Sequence, residues 1–369
     1  MSAPVQPLPT YVWEPTTDYL AAKYGLSRES IVRFDVNTSP TAPDLRDVLT
    51  GSFDPALCEY PPSDYAALVA AAADAYGVAT SELLPTAGAD EALDLTARAF
   101  LREGSAAVVA TPTYAMYRIV TEQRGASVVT VPRLGPVNGF GLDLPGLAAA
   151  ARTADLVWLC EPNNPTGTAE PPERIGGLLD LLASDAARDD RPPPAVVVDE
   201  AYADFVGRSV LPLRALYPRL VLIRTLSKAH ALAGARVGFA IARPETLVPI
   251  LSFRAPASVS TVSAALATAA LSCPELAAAN VGRISEQRAR LANDLAEIGW
   301  HPYPSEVNFI LIRFPSTAAA GSAAEALLRR GLVPRSFGPD HPLADCLRLT
   351  VRSATENDRL VEAARGIRA

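Results

Sequence analysis

Between Arg224 and Arg236 the chain reads Arg-Thr-Leu-Ser-Lys-Ala-His-Ala-Leu-Ala-Gly-Ala-Arg, so a hydroxyl-flanked amine, Lys228, precedes a guanidinium, Arg236, by eight positions. An amine can hold an aldehyde as a Schiff base, and a hydroxyl with a guanidinium can hold a phosphate. Pyridoxal phosphate carries both functions, and this spacing matches the site it needs. A Ser-Lys pair alone is commonplace in surface loops, so the reading depends on what accompanies it.

Three upstream segments supply what such a cofactor still lacks. The apolar run Leu156-Val-Trp-Leu-Cys160 has strand length and ends in Glu161-Pro-Asn-Asn-Pro-Thr-Gly167, where proline and glycine stop the strand and leave Asn164 at its carboxyl end. The Asn164 amide can donate to the phenolic oxygen of the cofactor. Ala195-Val-Val-Val198, a second buried-strand candidate, delivers Asp199-Glu-Ala-Tyr202 at an equivalent position. A carboxylate at Asp199 beside the pyridine nitrogen would keep that nitrogen protonated and make the ring an electron sink. Tyr202 can share the phenolic oxygen with Asn164. In isolation Asn-Asn-Pro-Thr-Gly is a turn and Asp199 a helix cap. Independent turns and caps have no reason to fall in the order Asn164, Asp199, Tyr202, Lys228, Arg236, all but the last just beyond an apolar run and the last ahead of Val237-Gly-Phe-Ala-Ile241.

Taken together these segments resemble the fold-type I pyridoxal phosphate aminotransferases, and within them the histidinol-phosphate aminotransferase group. The likeness spans nearly the whole chain, from Pro9-Thr-Tyr-Val12 and Asn37-Thr-Ser-Pro40 through Glu59-Tyr-Pro61, Gly88-Ala-Asp-Glu91 and Thr111-Pro-Thr-Tyr-Ala-Met-Tyr117 to Glu306-Val-Asn-Phe309 and Leu347-Arg-Leu-Thr350. It implies that Lys228 forms the imine with the cofactor and then serves as acid and base of the proton shift, with Asp199 and Tyr202 beside it. It implies phosphate ligands at Arg236, Ser227 and Thr225 and backbone donors at Ala89 and Asp90. The physics agrees with the last pair, because Gly88-Ala-Asp-Glu-Ala-Leu-Asp-Leu opens an apolar-periodic helix whose amino end attracts anions. Tyr114 resembles the aromatic that stacks on the pyridine, and Tyr60 the tyrosine that reaches the phosphate across a dimer, which implies a homodimer with shared active sites. For the substrate, Arg348 and Arg335 match the family's two arginines of the C-terminal portion, with Asn308 facing them. Asn37 and the arm tyrosine Tyr11 belong to the same substrate set. Arginine suits the task because its planar fork pairs bidentately with carboxylate or phosphate.

The chain departs from the family pattern in three places. Asn37-Thr-Ser-Pro40 lacks the carboxylate of the usual Asn-Glu-Asn-Pro, His230 replaces an aromatic, and Arg352 replaces a glycine. These changes bear on the substrate, not on the cofactor. Other readings stay open: an aminotransferase for aromatic or guanidino amino acids, or a decarboxylase or oxidase on the same scaffold, including a threonine-phosphate decarboxylase. A cofactor-bearing regulator would need an added DNA-binding domain, and the 45 residues ahead of the main domain are too few and insufficiently basic for one.

Composition restricts the remaining choices. The 33 basic against 40 acidic residues give a net charge of -7 with no basic stripe, so no nucleic-acid partner is expected. Cys58, Cys160, Cys273 and Cys346 form no Cys-x-x-Cys pair, and His230, His301 and His341 are the only histidines, so no metal site is expected and the thiols read as reduced. The amino terminus lacks a charged stretch followed by an apolar one, and the Ala-rich segments are too weakly apolar or too short to span a bilayer. A cytoplasmic enzyme without membrane partners is the expectation, taking a small-molecule amino donor and a 2-oxo acid acceptor.

These side chains must be positioned by a scaffold, and its pattern is legible. Short apolar runs at Ala107–Ala110, Val128–Val131, Leu156–Cys160, Val196–Val198, Leu220–Ile223 and Val237–Ile241 alternate with helix-like stretches. That alternation predicts an α/β fold: a three-layer α/β/α large domain with a mainly parallel sheet, plus a small α/β C-terminal domain. Ligands of such sheets sit at the carboxyl ends of the strands, where Asn164, Asp199 and Lys228 fall. The expected division is an arm over residues 1–45 shared with the small domain, a cofactor-binding domain over 46–255 and a small domain over 256–369. The arm includes a strand candidate at Ile31–Val36. The small domain begins with one long helical region from Val262 to Ile298 and includes a helix near Ala323–Arg330.

Overall fold

The computed structural model describes residues 8–12, 14–45 and 58–367. In chain order its strands are β1 (Val32–Arg33), β2 (Leu83–Thr86), β3 (Ala106–Thr111), β4 (Ser127–Pro132), β5 (Leu156–Cys160), β6 (Ala195–Asp199), β7 (Leu220–Thr225), β8 (Gly238–Ile241), β9 (His301–Pro302), β10 (Phe309–Arg313), β11 (Leu332–Val333), β12 (Arg335–Ser336) and β13 (Cys346–Thr350).

Every residue of β5, β6 and β7 is buried. A strand apolar at consecutive positions must be covered on both faces, the condition that parallel sheets meet with helices. Seven strands accordingly form one sheet in the order β2-β8-β7-β6-β5-β3-β4. Strands β3 to β7 pair in parallel, and β8 runs antiparallel to both of its neighbours. Side chains separate by strand parity. Leu156, Trp158 and Cys160 pack with Val197, Val221 and Ile223 on one face, under Leu93, Tyr117 and Val120. Val157, Leu159, Val196, Val198 and Leu222 pack on the other, against Leu68, Leu178 and Leu182. Each such aliphatic side chain contributes about 1.5–3 kcal/mol relative to exposure, so the middle of this sheet is firmly held by both helical layers.

A second, antiparallel sheet has the order β12-β13-β10-β9. Helices Pro274–Glu297, Thr317–Leu328 and Ala354–Arg365 supply Leu291, Leu327 and Leu360 to the core over it, with Trp300, Phe309 and Leu349. Strand β1 pairs in parallel with β11, Val32 opposite Leu332, which ties the amino-terminal segment to this C-terminal layer.

Three sequence expectations need correction. The helical region from 262 to 298 is two helices, Thr261–Leu271 and Pro274–Glu297, meeting at a bend of 78°. Pro274 has no N–H to give the preceding turn, yet sits without loss at the first position of the next helix. The helix near Ala323–Arg330 begins earlier, at Thr317, because the Ser316 hydroxyl caps it by accepting from the Ala319 N–H at 3.2 Å. Of the strand candidate at 31–36 only Val32–Arg33 pairs, since β11 offers two residues before the chain turns. Among the described residues no single helix is long and apolar enough to cross a membrane.

Candidate active site

Parallel pairing brings the strands' carboxyl ends side by side: Cys160 lies opposite Asp199, and Asp199 opposite Ile223. The loops that follow carry Asn164, Tyr202 and Lys228 to that edge of the sheet. Because β8 is antiparallel, its amino end arrives there too, with Gly238 opposite both Thr86 and Thr225. Arg236 is thereby set against the amino end of helix Ala89–Phe100. The approach is so close that only glycine fits. A Cβ on Gly238 would lie 2.7 Å from the Gly88 carbonyl carbon and 2.8 Å from the Ala89 nitrogen, and one on Gly88 2.6 Å from an Arg236 nitrogen.

Around this helix terminus the candidate phosphate ligands gather. Thr225 Oγ1 donates to Ser227 Oγ at 3.0 Å and accepts the Ser227 N–H at 3.2 Å, which holds the two hydroxyls together. Arg236 Nη2 contacts Asp90 at 3.2 Å, and Tyr114 donates to the other Asp90 oxygen at 3.1 Å. The Asp90 side chain is thus a bridge between Arg236 and Tyr114, a role its sequence position, read only for a backbone donor, does not reveal.

Lys228 stands between this cradle and the small sheet. Its Nζ donates to the Asn37 carbonyl at 3.2 Å and lies 5.6 Å from the centre of the Tyr202 ring. Burial, and next the Arg348 guanidinium, lower its amine to about 8, since both disfavour a second cation there. Asp199 is buried, accepts the Ala201 N–H at 3.0 Å and accepts from the Tyr117 hydroxyl at 2.8 Å. Burial pushes its carboxyl up to about 6, against these two hydrogen bonds, so it is mainly ionised at neutral pH.

On the other side, the left-handed Asn37 (φ 51°) is held by Thr350. Its Nδ2 donates to the Tyr202 hydroxyl at 3.1 Å, and its carbonyl accepts from Asn308 Nδ2 at 3.0 Å as well as from Lys228. Arg348, on β13, donates to Asn164 Oδ1 and to the Asp35 carbonyl, each at 2.5 Å. Asn164 therefore keeps its Nδ2 as a donor toward a ligand. Asn308 Oδ1 and Arg348 Nε are buried without a hydrogen-bond partner in the protein, which leaves both available to a ligand. Asn164, Asp199, Tyr202, Lys228, Asn37, Asn308 and Arg348 thus converge.

Other sequence candidates lie at the margin or apart. Tyr11 brings its ring 6.2 Å from that of Tyr114. Arg335, directly opposite Arg348 on β12, is ion-paired with Glu14 of the amino-terminal arm. Tyr60 is 91% exposed and away from this cluster within one chain. Of the family departures, Arg352 pairs with Glu356 at 3.1 Å, and His230 faces Asp204 and Arg224 rather than Lys228. Among the described residues no group of His, Cys, Asp or Glu could hold a metal ion. Sequence reasoning missed Tyr117 as the partner of Asp199. The signal available was its place at the end of Thr111–Tyr117, but which helix residue faces which strand is not written in a motif.

A phosphate cradle at a helix amino end, a half-buried amine of lowered basicity and a buried carboxylate fit pyridoxal phosphate. Comparison with known proteins points the same way. Residues 35–365 match the family described as aminotransferase class I and II. Histidinol-phosphate aminotransferase of Xanthomonas campestris pv. campestris is 39% identical over 318 residues, 84% of this chain and 85% of that protein. The enzyme of the same name from Roseiflexus castenholzii is 35% identical over 353 residues, 93% of this chain and 91% of that one. The crystal structure of histidinol-phosphate aminotransferase from Sinorhizobium meliloti in complex with pyridoxal-5'-phosphate superposes with a TM-score of 0.84 at 26% identity, covering 96% of this chain and 95% of that one. With agreement of this extent in sequence and in backbone, the chain belongs to the class I and II aminotransferase family.

Proposed function

We propose that this chain is a pyridoxal phosphate-dependent aminotransferase that exchanges an amino group between histidinol phosphate, or a similar amine bearing a phosphate or carboxylate, and 2-oxoglutarate or glutamate. The observation that carries the reading is the setting of Lys228, a half-buried amine of lowered basicity with a carboxylate, Asp199, and a guanidinium, Arg348, acting on it. When bound, the cofactor supplies an aldehyde that condenses with amines and a cationic ring that accepts electrons from the substrate's α-carbon.

The chain's own residues then have defined tasks. Thr225, Ser227, Arg236 and the N–H groups of Ala89 and Asp90 would hold the phosphate, and Tyr114 would cover the ring. Asp199 would supply the negative charge that keeps the ring nitrogen protonated, while Asn164 and Tyr202 would hold the phenolic oxygen. Lys228 would hold the aldehyde and, as a free amine, would move the substrate proton on Nζ. A value of about 8 suits that second task, since the amine is neutral in a useful fraction near neutral pH yet basic enough to take a proton. Arg348 and Asn308 receive the substrate. Arg335, its cross-strand neighbour, would reach a dianion such as a phosphate by exchanging its ion pair with Glu14 for the ligand. Residues 46–255 would bind the cofactor, and 256–369 with the arm 1–45 would close over the substrate. Tyr60, exposed in a single chain, would reach the cofactor phosphate of a second copy in a cytoplasmic homodimer.

Borohydride treatment of the protein loaded with pyridoxal phosphate, followed by peptide mass mapping, should place the reduced cofactor on Lys228. Histidinol phosphate, glutamate, phenylalanine and arginine are then compared for the rate at which each bleaches the visible band of the bound cofactor. Fast bleaching by histidinol phosphate supports the substrate. Inertness of histidinol phosphate beside a reactive plain amino acid refutes the substrate but not the chemistry, and release of carbon dioxide would indicate a decarboxylase.

A further inference from the structure

We infer that Glu14 is a specificity-determining residue, an exchangeable counter-ion that neutralises Arg335 while a ligand presents one negative charge and yields the guanidinium to a ligand that presents two. The inference rests on the substrate reading above and deepens it, because it names the residue that decides when Arg335 is free to bind.

The arm is fixed on both sides of Glu14. The Pro9 carbonyl accepts from Gln123 Nε2 at 2.8 Å, and the Pro15 carbonyl from Arg33 Nη1 at 2.9 Å. Pro15 also disfavours helical backbone at Glu14, and helix Thr17–Tyr24 starts only after Thr16, whose hydroxyl accepts the Tyr19 N–H at 3.2 Å. Arg33 is locked in turn by Asp35, with Nε on one carboxylate oxygen at 2.8 Å and Nη2 on the other at 2.5 Å. The Asp35 carbonyl receives Arg348. The arm beside Glu14 and the Arg348 guanidinium are therefore positioned by the same buried residue, Asp35. From that position the Glu14 carboxylate pairs with Arg335, which lies opposite Arg348 in the register of β12 and β13.

Charge decides what this arrangement does. Like charges directly opposite across two strands repel, and burial first, with Arg335 among the charged neighbours, holds Arg348 below the usual arginine range. Three guanidiniums are linked here and two have carboxylates: Arg33 has Asp35, and Arg335 has Glu14. Arg348 donates to neutral oxygens, of the Asn164 side chain and the Asp35 backbone, so one positive charge is left over for a ligand. A ligand with one anionic group satisfies it with Glu14 in place. A ligand with a second, distal carboxylate or phosphate needs Arg335 too, and that group must take the place of the Glu14 carboxylate. Exposure shows which pair can open. The Arg335 and Glu14 side chains are 27% and 28% exposed, and a pair so open to water exchanges partners at little cost. Asp35, whose side chain is wholly buried, cannot leave Arg33 without stranding a charge.

The test uses the whole protein loaded with pyridoxal phosphate and two unreactive anions of equal chain length, glutarate with two carboxylates and pentanoate with one. Calorimetric titration gives the Kd of each, and the KM for glutamate is measured beside it. Glu14→Gln keeps the size and polarity of the side chain and removes its charge. Glutarate should bind about fivefold tighter, because it no longer displaces an ion pair, and the KM for glutamate should fall by a similar factor. Pentanoate should change by less than about twofold, because it leaves Arg335 alone and feels the lost charge only through solvent screening. Made on top of Arg335→Gln, the same substitution should move neither Kd. Glutarate affinity that stays constant or weakens in Glu14→Gln would overturn the inference, the second result showing that Glu14 merely anchors the arm. Equal tightening of both anions would overturn it too, since a general gain in positive potential produces that. Wild-type protein that binds the cofactor, but whose visible band neither glutamate nor histidinol phosphate bleaches, would instead refute the substrate reading.

Discussion

Replacing Lys228 by methionine removes the amine on which the proposed reaction turns, yet should make the cofactor-free protein more stable at neutral pH. A lysine in water titrates near 10.5, and burial and Arg348 lower this one to about 8. The folded state therefore binds that proton more weakly than the unfolded chain. The resulting cost is full below pH 8 and disappears as pH rises toward 10.5. Two and a half units correspond to at most about 3 kcal/mol, and partial solvent access of the side chain reduces this. Methionine fills similar space without a proton but loses the hydrogen bond to the Asn37 carbonyl, worth about 1 kcal/mol. The net expectation is a gain of roughly 1–2 kcal/mol at pH 7 that shrinks to zero or reverses by pH 10.5. Urea unfolding of the cofactor-free wild type and Lys228→Met, at equal protein concentration and at both pH values, measures the difference. Equal stability at pH 7, or curves that stay parallel between the two pH values, would refute the claim that the fold holds this amine under strain for chemistry.

Other consequences are equally direct. Arg348→Lys loses the planar fork, and kcat/KM for anionic substrates should fall about 10- to 100-fold while the Kd for pyridoxal phosphate stays near wild type, as fluorescence titration would show. Gly238→Ala drives a methyl into the backbone of Gly88 and Ala89, which should cost about 1–3 kcal/mol in thermal unfolding and weaken cofactor binding as well. If Tyr60 completes the site of a second copy, mixing inactive Lys228→Ala with Tyr60→Ala protein should restore activity at limiting cofactor to about a quarter of wild type, because half the sites of each mixed dimer are intact. No recovery after refolding the mixture would show that each chain works alone.

How much of this was legible beforehand follows from the range of the interactions involved. The apolar runs Leu156–Cys160, Ala195–Val198 and Leu220–Ile223 can be buried only between two helical layers, and their punctuation by proline, glycine or aspartate fixes where each strand ends. A parallel sheet and the placing of Asn164, Asp199 and Lys228 at one edge are therefore local consequences of residue order. The break at Pro274 is equally local, but helix-like sequence continues on both sides of it and masks the bend.

What sequence could not decide are contacts between residues far apart in the chain. Asn37 meets Lys228 and Asn308, Asn164 meets Arg348, and Glu14 meets Arg335, each because two sheets and an arm are docked together. The hydrogen bond from Tyr117 to Asp199 depends on the rotation of one helix over one strand, set by the stacking of Tyr117 on Trp158. The residue types that can do chemistry were thus determined by order along the chain. Their acidity and their partners were decided by packing, since burial and neighbouring charge exist only once the chain has closed on itself.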